Sequence, residues 1–137
     1  MNPAEAASRK SRIVLAADDQ PENIMILESL IEAQGFTFFG AASGAECLSL
    51  AARINPKLVL LDIQMPQMDG FETCRRLRAM INLKQVPVAF LTARKSAADV
   101  QAGMAAGGND FIVKPFDPEK LVARVVHWTS RRAPTAA

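Results

Sequence analysis

Residues that would point to a disulfide, zinc or thiol redox site are scarce in this sequence. Only two of the 137 residues are cysteine, Cys47 and Cys74, and they lie too far apart to form a CxxC motif. Both fall in segments whose apolar spacing is helical. We therefore interpret them as reduced, buried, structural thiols.

Long apolar runs and a strong excess of one charge are also absent. No apolar stretch is long enough to span a bilayer, and residues 1–12 lack the apolar core of a signal peptide. The formal net charge of +2 is too small to indicate a nucleic-acid partner. The sequence thus predicts a cytoplasmic, globular protein without membrane contact, and its charge identifies no partner.

The length and the ends of the chain predict one domain between two tails. A chain of 137 residues can bury a single core without disulfides or structural metals. Residues 1–11 and 130–137 are small, polar and rich in Pro and Ala, so we expect flexible tails around a domain at residues 12–129. We also expect no DNA-binding or enzymatic output domain after Thr129.

Short apolar segments alternate five times with segments of three-to-four-residue apolar spacing. Their apolar character is continuous, which is typical of strands buried on both faces. They cover residues 13–17, 37–39, 58–61, 88–91 and 111–113. Alternating strands and helices predict a parallel sheet covered by helices on both faces and joined by right-handed crossovers. The predicted fold is therefore α/β, a doubly wound five-stranded parallel sheet with five helices. Its expected strand order is 2-1-3-4-5, as in flavodoxin-like proteins.

Helix ends are predicted from side chains that satisfy free backbone groups. The predicted N-caps of the second, third and fifth helices are Ser43, Asp69 and Asp117. The fourth helix, Ala98–Ala106, is rich in Ala and is expected to end at Gly107-Gly108. We interpret Gly108 only as extra freedom for the loop.

Polar side chains follow four of the predicted strands, where each strand ends. They are Asp18 and Asp19 after the first strand, Asp62 after the third, Thr92 after the fourth and Lys114 after the fifth. Ligands of doubly wound sheets bind beyond the carboxyl ends of the strands, where the strand order reverses. Singly, such an Asp is more often a helix cap. Together, the five residues predict a site that binds a divalent cation and accepts a phosphoryl group.

Each residue type suits one part of that chemistry. Asp19 and Asp62 are the predicted direct ligands of the cation, with the backbone carbonyl of Gln64, and Asp18 would hold a bound water. Lys114 would supply a second positive charge, and the Thr92 hydroxyl would donate to a phosphoryl oxygen. Catalysis would consist of positioning and charge neutralisation.

These motifs, with the stretch from Leu60 to Gly70 and with Lys114-Pro115-Phe116, resemble the receiver domain of two-component response regulators, the CheY-like superfamily. The resemblance covers about residues 12–129. It implies that Asp62 is phosphorylated by a histidine kinase or a histidine phosphotransfer protein, with Mg²⁺ or Mn²⁺ at Asp18, Asp19 and Asp62. It also implies that the peptide bond before Pro115 is cis.

The resemblance further implies a switch formed by Thr92 and Phe111. Drawing Thr92 toward a phosphoryl group would vacate space beside the fourth strand, into which Phe111 could rotate. Output would then pass to a downstream protein through the fourth helix, fifth strand and fifth helix, from a monomer or a weak phosphorylation-dependent dimer. The alternative interpretation of Phe111 is simple core packing.

Two positions near the site are predicted to modulate phosphoryl lifetime. Gln64 and Arg94 each lie two residues beyond a site residue, at positions that vary in the family. We expect them to shield the phosphoryl group from water and to give a moderately long-lived phosphorylated state.

Several alternatives differ in function rather than fold. The expected protein is not an enzyme for external substrates and catalyses only its own phosphorylation and autodephosphorylation. A haloacid dehalogenase-type phosphatase would need an acid at position 64, where this chain has Gln. A flavin protein would need a phosphate-binding loop after the first strand, where this chain has two aspartates.

Two further alternatives keep the receiver fold. The chain could serve as a phosphate shuttle or sink within a multistep relay, because such proteins share every site residue named above. Less favoured is an effector that binds an anionic nucleotide second messenger through its Arg-containing tails. The basic residues in question are Arg9, Lys10, Arg12, Arg131 and Arg132.

Overall fold

Strands and helices alternate along residues 12–93 and 95–130, the residues that our computed structural model describes. The strands are β1 (Ile13–Ala17), β2 (Thr37–Ala41), β3 (Leu58–Asp62), β4 (Val88–Thr92) and β5 (Asp110–Val113). The helices are α1 (Pro21–Glu32), α2 (Gly44–Ile54), α3 (Gly70–Arg78), α4 (Ala97–Ala105) and α5 (Pro118–Ser130).

The five strands form one parallel sheet in the order β2-β1-β3-β4-β5, which confirms the predicted fold. Every residue of β3 and of β4 is buried. This complete burial explains their continuous apolar sequences, because a strand covered on both faces has no solvent side to keep polar.

The core lies in two layers, one on each face of the sheet. One layer packs the sheet against α1 and α5 through Leu27, Ile31, Leu121 and Val125. The other packs it against α2, α3 and α4 and contains Phe90, Phe111 and both cysteines. Burial raises the pKa of Cys47 to about 12 and also raises that of Cys74, as expected of unreactive structural thiols.

The predicted N-caps are in place. Ser43 Oγ accepts from the Glu46 N–H at 3.1 Å, and Asp69 Oδ1 accepts from the Glu72 N–H at 2.8 Å. Asp117 Oδ1 accepts from the backbone N–H groups of the first turn of α5.

The fourth helix starts one residue earlier than predicted, at Ala97, because Ser96 provides an N-cap that we had not assigned. At its end the Gly108 N–H donates to the Gly103 carbonyl and the Gly107 N–H to the Met104 carbonyl. With Gly107 at φ +101°, these two bonds form a Schellman motif.

The chain ends lie largely outside this description. Residues 1–11 and 131–137 are not among the described residues, so the predicted tails and four of the five basic residues on them remain predictions. Ser130, which we had placed in the C-terminal tail, is the last residue of α5. Across the described ranges, no helix has the length and apolar character needed to cross a membrane.

Candidate functional site

The backbone brings the predicted site residues to the carboxyl edge of the sheet. The Asp18 N–H donates to the Ala41 carbonyl just beyond β1, and Asp62 is the last residue of β3. Thr92 ends β4, and its carbonyl accepts from the Lys114 N–H at 2.7 Å. Main-chain pairing between neighbouring strands therefore fixes the spacing of these side chains.

Lys114 reaches across β4 to two carboxylates. Its Nζ donates to Asp62 Oδ1 at 3.1 Å and lies 2.9 Å from Asp18 Oδ2. Both aspartates are buried, and the Lys114 side chain is 17% exposed. One ammonium thus faces two buried carboxylates, which leaves the group with excess negative charge.

Asp18 keeps unused acceptor capacity. Its Oδ1 accepts from the Gln20 N–H at 2.9 Å. Its Oδ2 forms an ion pair with Lys114 Nζ at 2.9 Å and has no other polar partner among the described residues. A carboxylate oxygen that contacts a single cation keeps room for a further ligand.

The pKa values reflect this arrangement. Burial raises the pKa of Asp62, the Asp18 charge adds to the rise, and hydrogen bonds from Lys114 and the Gln64 backbone oppose it, giving a pKa of about 6. Burial lowers the pKa of Lys114, but the two carboxylates outweigh this effect and the pKa is raised overall. Lys114 is therefore a stable cation, and Asp62 an ionised group whose charge is poorly stabilised.

The donor set fits a hard divalent cation. Oxygens of Asp18, Asp19 and Asp62 all lie within 4.8 Å of one another. Asp19 is exposed, which would let a cation keep some of its water. An all-oxygen donor set with spare acceptor capacity at Asp18 Oδ2 suits Mg²⁺ or Mn²⁺. Gln64 lies exposed in the loop after β3.

The loop after the acceptor strand is held close to it by a glycine. The Gly70 N–H donates to the Ile63 carbonyl at 2.9 Å, and a Cβ at position 70 would lie 2.3 Å from the Asp62 carbonyl oxygen. Only glycine permits this approach, which brings the start of α3 against the strand that carries Asp62.

The two predicted switch residues lie on neighbouring strands, and Phe111 is already buried. It is 8% exposed, and its ring centroid is 5.3 Å from that of Phe90, which in turn is 5.2 Å from that of Phe71. The bond between Lys114 and Pro115 is cis, as the resemblance implies. Arg94 lies outside the described residues.

A network next to Phe111 was missed by the sequence reasoning. Asp110, the first residue of β5, accepts from the Phe111 N–H, from Trp128 Nε1 at 2.8 Å and from Arg124 Nη1. Despite burial, these bonds lower the pKa of Asp110. An acidic residue opening an apolar strand was the signal that could have found it.

A cleft of about 380 Å³ lies beside this network on the surface of β5 and α5. Its walls combine apolar strand residues with cationic side chains. It is lined by Lys95, Val113, Pro115, Lys120 and Arg124, among others. This is the surface on which the predicted output face would lie.

Our interpretation of Gly108 was wrong. A Cβ at this position would lie 2.2 Å from Phe90 Cε2, so a side chain there would displace the ring, and the glycine serves close packing rather than loop freedom. Sequence alone does not show this requirement, because it depends on where the Phe90 ring lies.

Comparison with known sequences gives one consistent family. The profile of the response regulator receiver domain matches residues 14–126. The transcriptional regulatory protein PrrA of Mycobacterium tuberculosis is 43% identical over 123 residues, which are 90% of this chain and 52% of PrrA. The response regulator PleD of Caulobacter vibrioides is 38% identical over 112 residues, 82% of this chain and 25% of PleD. The chain spans about half the length of PrrA.

Solved structures agree in fold. Vibrio cholerae chemotaxis protein CheY4 superposes with a TM-score of 0.82 at 31% identity, covering 84% of this chain and 96% of CheY4. The receiver domain of a sensor histidine kinase from Pseudomonas aeruginosa, with a magnesium ion in its active site cleft, gives 0.81 at 28% identity over 88% of this chain and 98% of its own.

Proposed function

This chain belongs to the response regulator receiver family, and from that premise we propose that Asp62 accepts a phosphoryl group from a histidine kinase or a histidine phosphotransfer protein. The observation that carries the proposal is the contact of one ammonium, Lys114, with two buried carboxylates, of which Asp62 ends the central strand. The proposed activity is confined to the chain's own phosphorylation and autodephosphorylation.

The transfer step is a displacement at phosphorus. A carboxylate oxygen of Asp62 attacks the phosphorus of a phosphohistidine, the P–N bond breaks, and its electron pair remains on the imidazole, which takes up a proton from solvent. Lys114 lies against the attacking carboxylate and would balance the charge that accumulates on the phosphoryl oxygens. Thr92, at the end of the neighbouring strand, would donate its hydroxyl to one of those oxygens.

The acidic residues would hold the metal that this chemistry needs. Asp18, Asp19 and Asp62, with the Gln64 carbonyl, would bind Mg²⁺ or Mn²⁺, and the clustering of the three carboxylates within 4.8 Å supports this assignment. When bound, the cation neutralises negative charge between the acceptor and the phosphoryl group.

The proposed output is a change in protein binding on the surface of α4, β5 and α5. An acyl phosphate at Asp62 adds negative charge beside Thr92, whose strand pairs with the strand of Phe111. A shuttle or sink within a multistep relay uses the same site and differs only in the partner that takes the phosphoryl group away.

The test is an NMR titration with beryllofluoride and Mg²⁺, a phosphoryl mimic, on wild type and on Asp62→Asn. We expect backbone amide shifts at Asp62, Thr92, Phe111 and α5 in wild type and none in the variant. A wild type that does not respond would contradict the proposal and indicate a receiver fold with phosphorylation-independent binding.

We also propose that Arg94 and Gln64 slow loss of the phosphoryl group by shielding it from water. Phosphorylated wild type and Arg94→Ala would be compared by the rate of phosphate release. Faster release from the variant is expected, and an unchanged rate would remove the idea.

A further inference from the structure

The inward Phe111 ring packs against α4, a helix that otherwise contributes mainly the partly buried Val100 to the core. Among the nine residues of α4 only Gly103 is buried. That residue lies directly against the Phe111 ring, where a Cβ would be 2.4 Å from Phe111 Cζ. The helix therefore touches the ring through a position that has no side chain.

The same helix end also contacts the neighbouring ring. A Cβ on Gly103 would lie 2.9 Å from Phe90 Cε2, and one on Gly108 would lie 2.2 Å from the same atom. We call Gly103 and Gly108 the glycine seat. Its two members are joined by a hydrogen bond of 2.9 Å from the Gly108 N–H to the Gly103 carbonyl, so their spacing is set by the Schellman motif.

Neither glycine of the seat is required by its backbone conformation. The glycines at positive φ are Gly35 and Gly107, whereas Gly103 is an ordinary helical residue. Glycine within a helix is disfavoured relative to Ala. Its presence at position 103 is therefore explained by the space that the two rings occupy.

The two rings lie on β4 and β5, the strands that end in Thr92 and Val113. Phe90 pairs in register with Phe111, and two residues later on the same strand Thr92 pairs with Val113. Because side chains two apart on a strand share a face, Phe90 and Thr92 project toward the same side of the sheet. Phe90 is therefore the residue that precedes Thr92 on that face of β4, and the Thr92 hydroxyl is the group assigned to the phosphoryl oxygens.

We propose that Gly103 is a positioning residue of the switch, which lets α4 hold Phe111 inward before a phosphoryl group arrives and so prepares the site to bind one. The inference rests on the proposed function, because it assigns a role within the Thr92 and Phe111 pair. The inference describes a population shift. If the ring is already inward, phosphorylation does not have to supply the free energy needed to move it there.

The first measurement is the affinity for beryllofluoride in the presence of Mg²⁺, by calorimetry, for wild type and Gly103→Ala. We expect roughly tenfold weaker binding by the variant, because the added methyl displaces the ring from its seat. Ala105→Gly, an exposed change in the same helix, is the control for helix propensity and should bind as wild type does.

The second measurement reads the ring itself. Protein whose phenylalanine rings are labelled with ¹³C gives aromatic carbon resonances for its seven Phe residues, and the Phe111 signals are those lost in Phe111→Leu. Gly103→Ala should move these signals without any ligand present. If that variant is too unstable to study, Gly103→Ala combined with Phe111→Leu should regain part of the lost stability, because Leu lacks the Cζ atom that the methyl would strike, and no recovery would overturn the inference.

The outcomes separate the two proposals. A displaced Phe111 signal with unchanged affinity would overturn the inference and leave the proposed function standing, with Phe111 as core packing alone. An unmoved signal, or tighter binding by Gly103→Ala, would also overturn it. Failure of wild type to bind beryllofluoride would instead overturn the proposed function.

Discussion

The carboxyl and amino ends of the sheet near β4 and β5 differ in how fully their polar groups are hydrogen-bonded. At the carboxyl end, Asp18 and Asp62 share one ammonium, which is the only polar contact of Asp18 Oδ2 among the described residues. At the amino end, Arg78 uses all five of its N–H donors.

At the amino end of the sheet, Arg78 binds carbonyls that the strands and helices leave without donors. Arg78 donates to the carbonyls of Leu83, Val86 and Gly107 and to Asn109 Oδ1, at distances of 2.6 to 3.0 Å. Asn109 Oδ1 also accepts from the first N–H of β4. Fully hydrogen-bonded groups stabilise the fold, whereas two carboxylates that share one ammonium at the other end keep acceptor capacity for a ligand.

The largest effect should come from removing the Arg78 hydrogen bonds at the amino end of the sheet. Arg78→Ala would leave several partly buried carbonyls without donors, and we expect a loss of about 3 kcal/mol in the free energy of unfolding. Urea denaturation followed by circular dichroism measures it. Arg75→Ala, an exposed Arg in the same helix that pairs with Glu72, is the control and should leave the transition where it is. Equal losses for both variants would contradict this role of Arg78.

Binding of Mg²⁺ at the carboxyl end of the sheet should stabilise the protein. We expect free Mg²⁺ at ten times its Kd to raise the free energy of unfolding by about 1.4 kcal/mol, because it binds the folded site only. Asp18→Asn removes one of the three clustered carboxylates and should lose most of this gain. An equal gain in wild type and variant would show that Mg²⁺ binds elsewhere.

Neutralising the acceptor should also stabilise the fold when metal is absent. The pKa of Asp62 is raised to about 6, so ionisation costs the folded state stability as the pH rises from about 4 through 6. In EDTA at pH 7 we expect Asp62→Asn to be more stable than wild type by about 1 kcal/mol, after allowance for solvent screening. The difference should shrink at pH 4.5, and a destabilised variant at pH 7 would contradict the argument.

The smallest effect is expected at Asp110, the first residue of β5. The pKa of Asp110 is lowered, so its contribution is present near neutral pH and is lost as the pH falls through that lowered value. Asp110→Asn keeps acceptors for Arg124 and Trp128 but loses the charge, so we expect a loss of about 0.5 kcal/mol at pH 7. Denaturation series from pH 7 to 3 should show the two proteins converging, and a constant difference would exclude the charge as its cause.

Sequence reasoning worked where the information is local. The run Leu58–Leu61 is apolar because β3 is covered on both faces, and the fold class follows from its alternation with helices. Asp62 and Lys114 were found because strand ends at one edge of a parallel sheet must lie together. Ser96 was missed because an Ala-rich helix has a weak periodic pattern and an uncertain start.

The rest depends on contacts between distant segments. Arg78 meets Gly107 and Asn109 about thirty residues away, and no periodicity connects them. Gly108 was misjudged for the same reason, because its requirement for glycine comes from the position of the Phe90 ring. Charged residues paired with backbone carbonyls and glycines packed against rings become visible only in three dimensions.

The bond between Trp128 and Asp110 gives the protein a built-in optical probe. The chain has one tryptophan and no tyrosine, so near-ultraviolet excitation selects a single indole. That indole N–H is bonded to the residue just before Phe111. Emission from unlabelled protein therefore reports the surroundings of Asp110 at the start of β5, and we expect it to change if a ligand at the carboxyl edge of the sheet moves the neighbouring Phe111.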